Sequence, residues 1–351
     1  MQDTQPHWVQ QQGEGVHALH IPISGTVPIV GNADSVGGDT AVSDLNLPAE
    51  RPAPFGRHCV VDGHQLFMHQ AGTRGDGEPC VVLLPGGGCV GLDLWPVLDG
   101  VAQFAAGVVY DRGGTGWSDR DVSLPRSLAV VTEELLELLR VAGIAGPYIF
   151  AGHSLGALYA RYLAARRPEV VAGLVLFEPG HEDYHKYMPQ ELADRWDAFD
   201  PDQDLPTELP QQVIDFYRDL FEQEMTAWPA EVREPLVANH VHPRWLRVGI
   251  REAANVKALG DEMRAAGPVP ADLPAVVLTA MDVDPFKRAV SMGVSEEGLQ
   301  AEIDAKLRLY DELAAGFTHG ENRRIEGVGH ATLPMRRPDA VVQAVRDLMA
   351  R

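Results

Sequence analysis

The stretch YIFAGHSLGALYARYLAARR, Tyr148 to Arg167, decides how the rest of the chain is read. Its first residues form a short apolar run of the kind expected for a strand buried on both faces, and the residues after Ser154 carry a helical pattern. Between them Ser154 stands in G-x-S-x-G, with Gly152 two residues before it and Gly156 two after. A strand that turns into a helix so abruptly leaves no room for side chains at those two places, so glycine suits both. The serine then sits at a helix N-terminus, beside free N–H groups and partial positive charge. Strand, turn and helix in this order are the setting in which such a serine serves as a nucleophile.

Working outward, the flanking sequence repeats the alternation of strand and helix. Apolar runs at 80–84, 107–110, 173–177 and 275–279, with a weaker one at 323–327, predict further buried strands. His58 to Gly72 reads as two strands joined at Asp62-Gly63, a strong hairpin dipeptide. Helical periods run from Ser127 to Val141, after Ser154, and from Pro338 to Met349. Strands alternating with helices predict a mostly parallel, doubly wound α/β sheet. One interval, 180–267, has helical patterns and no convincing strand, and it holds 18 acidic against 9 basic residues. It is too long for a loop and predicts a helical cap inserted before the penultimate strand. The expected organisation is an irregular N-terminal extension over 1–54, a core over 55–179 and 268–351, and the cap between the two core segments.

A serine hydroxyl attacks poorly until a base takes its proton. Of the 13 histidines, His330 is placed for this. It follows the last predicted strand, in a loop that Gly327 and Gly329 allow, before the terminal helix.

With these parts in order, the chain resembles the α/β-hydrolase family over about residues 57–350. The matching segments are LLPGGG (83–88), YDRGGTGWSD (110–119), GHSLG (152–156) and GVGH (327–330) followed by RRPDAVVQAV (336–345). The resemblance implies an α/β-hydrolase fold and a triad in the order nucleophile, acid, histidine, with Ser154 and His330 at its ends. Two strand ends offer the acid. Asp284, past the penultimate strand, occupies the family's commoner position and is slightly preferred; Glu178 is the alternative, and Asp282 a weaker third. The resemblance also implies an oxyanion hole from the N–H of Leu155 and that of Gly87, with Gly88 as its neighbour. Pro85 stands where many members have histidine, which leaves the second donor open. Asp111 to Asp119 reads as a structural loop, with Arg112 and Asp119 tying it beneath the site and Trp117 packing.

Serine at the elbow disfavours epoxide hydrolysis and dehalogenation, for which the family uses aspartate. The expectation is therefore a serine hydrolase that cleaves a carboxylic ester or thioester through an acyl-enzyme, without a cofactor. Transacylation, cyclisation or ligand binding with little turnover are the alternatives in the same pocket. A partly apolar pocket for a small molecule is expected, with His153, Cys89, Trp228 and Trp245 as substrate-binding candidates, and Phe216, Tyr217 and Phe221 also available in the cap. His240 and His242 form an H-x-H without a third ligand in sight, so no metal is expected.

The formal charge of -21 argues against nucleic-acid or anionic-membrane partners. No run approaches the roughly twenty apolar residues of a membrane helix, and the start of the chain lacks the features of a signal peptide. Cys59, Cys80 and Cys89, an odd number without C-x-x-C spacing, suggest reduced thiols and a cytoplasmic location. Composition leaves the oligomeric state open.

Overall fold

The computed structural model describes residues 50–123, 125–197, 211–291 and 293–351. The extension expected over 1–54 lies almost wholly outside the described residues. Eight strands form one sheet in the order β1-β2-β4-β3-β5-β6-β7-β8. They are β1 (Arg57–Val61), β2 (His64–Ala71), β3 (Cys80–Leu84), β4 (Gly107–Tyr110), β5 (Tyr148–His153), β6 (Val171–Phe177), β7 (Ala275–Ala280) and β8 (Glu321–Ile325). From β4 to β8 every pairing is parallel; only the β1–β2 hairpin and its junction with β4 are antiparallel. The hairpin turns at Asp62 and Gly63, whose φ angles of 48° and 89° match a turn with both central residues left-handed. The last strand starts two residues before its predicted place. It ends at Ile325 because the Gly327 N–H turns away to Asp282 Oδ2, 2.6 Å distant.

Strands β3, β5 and β7 are buried at every residue, as sheet strands covered on both faces must be. Alternation then separates two cores. Val82, Leu84, Phe150, Leu174 and Val277 face α2 (Leu128–Val141), α3 (Leu155–Arg166) and α11 (Glu296–Ala315). Val81, Leu83, Val109, Ile149, Val175 and Val276 face α1 (Trp95–Ala102) and α13 (Pro338–Met349). Helix α2 begins where Ser127 Oγ accepts the Val130 N–H, and it buries Val131, Leu135, Leu138 and Leu139 on one face. Fully burying each leucine contributes about 1.5–3 kcal/mol. Edge strand β8, ENRRI, is charged and only partly buried, which discourages further strand pairing.

Between β6 and β7 the described residues hold helices and no strand. These are α4 (Tyr184–Tyr187), α5 (Gln190–Asp197), α6 (Gln211–Glu224), α7 (Ala230–His240), α8 (Pro243–Ala254) and α9 (Val256–Ala266). Helix α9 packs against α2 and α3 at the side of the core. Val213, Tyr217 and Leu220 of α6 join Val241 and Phe286 in a small third core, so α6 is held to α10 (Pro285–Val290). The short α12 (Leu333–Arg336) follows His330 and leads into α13.

Candidate active site

Ser154 occupies a sharp turn between β5 and α3, with φ 50° and ψ -117°. A non-glycine residue in that region costs about 1–3 kcal/mol and persists only where its surroundings impose it. Here the Ser154 N–H donates to the Phe177 carbonyl at 3.2 Å, and its own carbonyl accepts the Gly180 N–H at 2.9 Å. Both flanking glycines are required. A Cβ on Gly152 would lie 2.5 Å from the Ala157 nitrogen, and one on Gly156 would overlap the Leu84 carbonyl.

His330 joins Ser154 to a carboxylate. Its Nε2 lies 3.1 Å from Ser154 Oγ, and its Nδ1 lies 2.9 Å from Glu178 Oε2. Ser154 and Glu178 are buried, while the imidazole retains 23% of its side-chain exposure, so the ring is the member open to solvent. Glu178 follows β6 directly and also adopts a left-handed φ, 51°. That turn brings its side chain across the sheet edge, where Oε1 accepts the Ala280 N–H at 2.8 Å. Burial alone would raise its pKa, but the Lys306 charge and the His330 hydrogen bond pull it down to about 2.

The preference for Asp284 is corrected by this geometry. Asp284 caps α10 through Oδ1, which accepts the Lys287 N–H at 2.7 Å. Its Oδ2 accepts the N–H groups of Ala331 and Thr332 at 2.7 and 3.3 Å. Both oxygens are therefore engaged with backbone, and the side chain braces the loop just beyond His330. Asp282 likewise braces the turn before it through Gly327.

His153 fills a supporting place that its expected substrate role did not include. Its Nε2 donates to the His330 carbonyl at 2.9 Å, and its ring stacks on Phe177. Burial, reinforced by the neighbouring imidazole, lowers its pKa to about 3 and keeps it neutral. It also lines the adjoining pocket.

The glycine loop is held from below and above. Buried Arg112 donates to the carbonyls of Pro85 and Gly86 at 2.8 and 2.7 Å, and pairs with Glu252 of α8 at 2.6 Å. Glu252 Oε2 in turn accepts the Gly88 N–H at 3.1 Å. This commitment corrects the expectation that Gly88 supplies an oxyanion donor. Leu155, as the first residue of α3, presents an N–H that the helix's own ladder does not use. Glu252 had no sequence signal of its own, being one acid among 18 in the cap interval. Asp119 ties its segment to β2, its Oδ2 accepting the Gln65 N–H at 2.6 Å, and Trp117 packs on Phe67 and Trp245.

A pocket lies between this loop and the helices inserted between β6 and β7. Its walls are mainly apolar, with Leu94, Phe221, Phe286 and Met335, and they include Cys89, His153, Tyr217 and Trp245. Trp228 is corrected as a pocket residue: it is buried against Trp95, with ring centroids 6.4 Å apart, and does not line this space. Burial drives the Cys89 thiol upward, so it is no thiolate beside the serine. His240 is paired within the same pocket, its Nε2 lying 2.7 Å from Asp93 Oδ1 and its ring stacking on Phe221. Among the described residues, no group of three or more His, Cys, Asp or Glu is arranged to hold a metal ion. None of the described helices is long and apolar enough to cross a membrane.

Comparison with known proteins agrees with this architecture. The model of the alpha/beta hydrolase family matches residues 81–344. Over 103 residues the chain is 41% identical to a Klebsiella pneumoniae protein named for carbamate hydrolysis, a match covering 28% of this chain and 37% of that one. Over 82 residues it is 36% identical to an AB hydrolase superfamily protein of Gibberella zeae, covering 22% and 26%. Such matches span 12% to 38% of the length of the curated relatives. Among solved structures, the enol-lactonase of Burkholderia xenovorans LB400 aligns with a TM-score of 0.53 at 21% identity, covering 84% of this chain and all of that one. An epoxide hydrolase of Vigna radiata aligns at 0.59 and 17%, covering 85% and 98%. At such identities the structural likeness speaks to the fold alone.

Proposed function

The chain belongs to the α/β-hydrolase family, and from that premise we propose that it is a serine hydrolase cleaving a carboxylic ester or thioester of a small, partly apolar molecule. The observation that carries this reading is the continuous line from Ser154 Oγ through His330 to Glu178, set on a strained elbow beside an apolar pocket. In the proposed mechanism His330 Nε2 accepts the Ser154 hydroxyl proton as Oγ attacks the carbonyl carbon. Glu178 holds the Nδ1–H tautomer and stabilises the imidazolium that forms. The N–H groups of Leu155 and Gly87 are assigned to the developing oxyanion. Imidazolium returns the proton to the leaving alcohol or thiol, and water repeats the sequence to release the acid and regenerate Ser154.

Serine at position 154 supports acyl transfer over the epoxide chemistry named for one structural neighbour, because that chemistry uses an aspartate nucleophile in this family. The test is a fluorophosphonate probe and a panel of short esters and thioesters, applied to wild type and Ser154→Ala. Wild type is expected to label and turn over at least one panel member, and Ser154→Ala to lose both by at least about 10³-fold. Unchanged turnover in folded Ser154→Ala would sink the proposal.

A further inference from the structure

Glu178 does not serve His330 alone. Its Oε2, the oxygen that meets His330 Nδ1 at 2.9 Å, is also 2.7 Å from Lys306 Nζ. Lys306 extends from the middle of α11 and keeps 7% of its side-chain exposure. An ammonium so deeply buried is costly unless a negative partner meets it. Around it, Leu299, Ile303, Leu309 and Tyr310 of the same helix are buried apolar or aromatic side chains.

Resting on the reading of Ser154, His330 and Glu178 given above, we propose that Lys306 is a positioning residue that shares the Glu178 carboxylate with His330, fixing its orientation and setting how strongly its charge acts on the imidazole. The electrostatic reason is simple. A lone buried carboxylate stabilises an adjacent imidazolium with a full negative charge. With Lys306 in contact, carboxylate and ammonium nearly cancel, and the second cation sits within two hydrogen-bond lengths of the ring. Lys306 thereby weakens the electrostatic support that Glu178 can give to a positive ring.

The other ionisable groups around Glu178 do not supply that charge. On α11, Glu302 is matched by Lys287 of α10 at 2.7 Å, and burial keeps the Tyr310 hydroxyl protonated. From α4, Tyr184 is likewise kept protonated, first by burial and then by Glu302, whose Oε1 accepts its hydroxyl at 2.9 Å. From the end of β5, His153 is neutral. Asp284, at the start of α10, is engaged with the backbone after His330.

The test uses the full chain and follows the pH dependence of Ser154 labelling by the fluorophosphonate in wild type, Lys306→Met, Lys306→Gln and Lys306→Arg. For two unit charges about 5 Å apart at an effective dielectric of about 20, removing the lysine charge is expected to move the acid limb upward by on the order of 2 pH units. Met and Gln should show that shift and Arg should not. Gln keeps an N–H donor and Arg keeps the charge, so their comparison carries the test where Met does not fold, folding being judged by a cooperative melt. Folded Lys306→Gln with the wild-type acid limb would overturn the proposal and leave Lys306 a structural residue. Absence of labelling in wild type would instead refute the serine hydrolase reading itself.

Discussion

Replacing Glu178 by glutamine conserves shape and removes one charge, and its consequences follow from three hydrogen bonds. In the folded protein Oε1 accepts the Ala280 N–H, while Oε2 accepts from Lys306 and His330. A glutamine has one carbonyl and one NH₂, so one end must confront a donor. Lys306 has no acceptor to offer. The carbonyl is therefore expected to face Lys306 and His330, leaving the NH₂ against the Ala280 N–H at a cost of about 1–3 kcal/mol. Loss of the negative charge also leaves Lys306 and any imidazolium without a counter-ion. The expected result is a lower melting temperature and a fall of about 10³–10⁴-fold in turnover, as when the acid of a serine triad is made an amide. Asp284→Asn is the control, because its carboxylate binds backbone N–H groups and not the imidazole. Asparagine can still cap α10 through its carbonyl, but its NH₂ then confronts the Ala331 and Thr332 N–H groups, so a loss of about 1–3 kcal/mol is expected with turnover kept within about tenfold of wild type. The assay is ester hydrolysis, backed by the rate of fluorophosphonate labelling and by thermal melts. If folded Asp284→Asn loses as much turnover as folded Glu178→Gln, the assignment of the acid is wrong.

Three further outcomes are expected. Glu252→Ala leaves buried Arg112 with carbonyl partners only and frees the Gly88 N–H, so it should cost about 3–5 kcal/mol by urea denaturation and lower kcat/KM through the loosened glycine loop; an unchanged midpoint would contradict the buried-pair argument. Gly156→Ala should abolish soluble, active protein because its Cβ meets the Leu84 carbonyl, whereas Gly327→Ala, with open space and φ 80°, should cost only about 1–2 kcal/mol; similar melts for the two would refute the close-packing reading. For pH, buried His153 has its pKa depressed from 6.5 to about 3, so between those values the unfolded chain binds a proton that the folded chain does not. Stability due to this group therefore falls as pH drops from 6.5 toward 3, by about 1.4 kcal/mol per pH unit, and His153→Gln should flatten that part of the urea-midpoint profile; an equal slope in both proteins would count against a neutral buried His153.

The parts legible from sequence were those governed by neighbours along the chain. Buried strands such as CVVLL and AVVLT announce themselves by unbroken apolar composition, and the Asp62-Gly63 turn by its tolerance of positive φ. Gly152 marks the elbow because the atoms it must avoid, those of Gly156 and Ala157, lie within five residues, whereas Gly156 is required by the Leu84 carbonyl of β3. Helix α11 has no clear signal in the sequence because its polar residues interrupt the apolar period, and two of them, Glu302 and Lys306, are themselves buried in a network with residues from α4, the turn after β6 and α10. Trp228 was indistinguishable in sequence from Trp245, since being aromatic and lying among the helices between β6 and β7 does not say which face meets a cavity.

The amino-acid sequence by itself therefore determined the α/β architecture, the place of Ser154 and the histidine that follows the last strand, because strand periodicity, glycine spacing and chain order are local or ordinal properties. Tertiary structure alone decided which carboxylate meets His330. Glu178 and Asp284 leave neighbouring strand ends, and the left-handed turn at Glu178 sends one carboxylate to the imidazole while the cap of α10 holds the other against the backbone. The same is true of Lys306: 128 residues separate it from Glu178, and only the packing of α11 against the sheet brings ammonium and carboxylate to 2.7 Å.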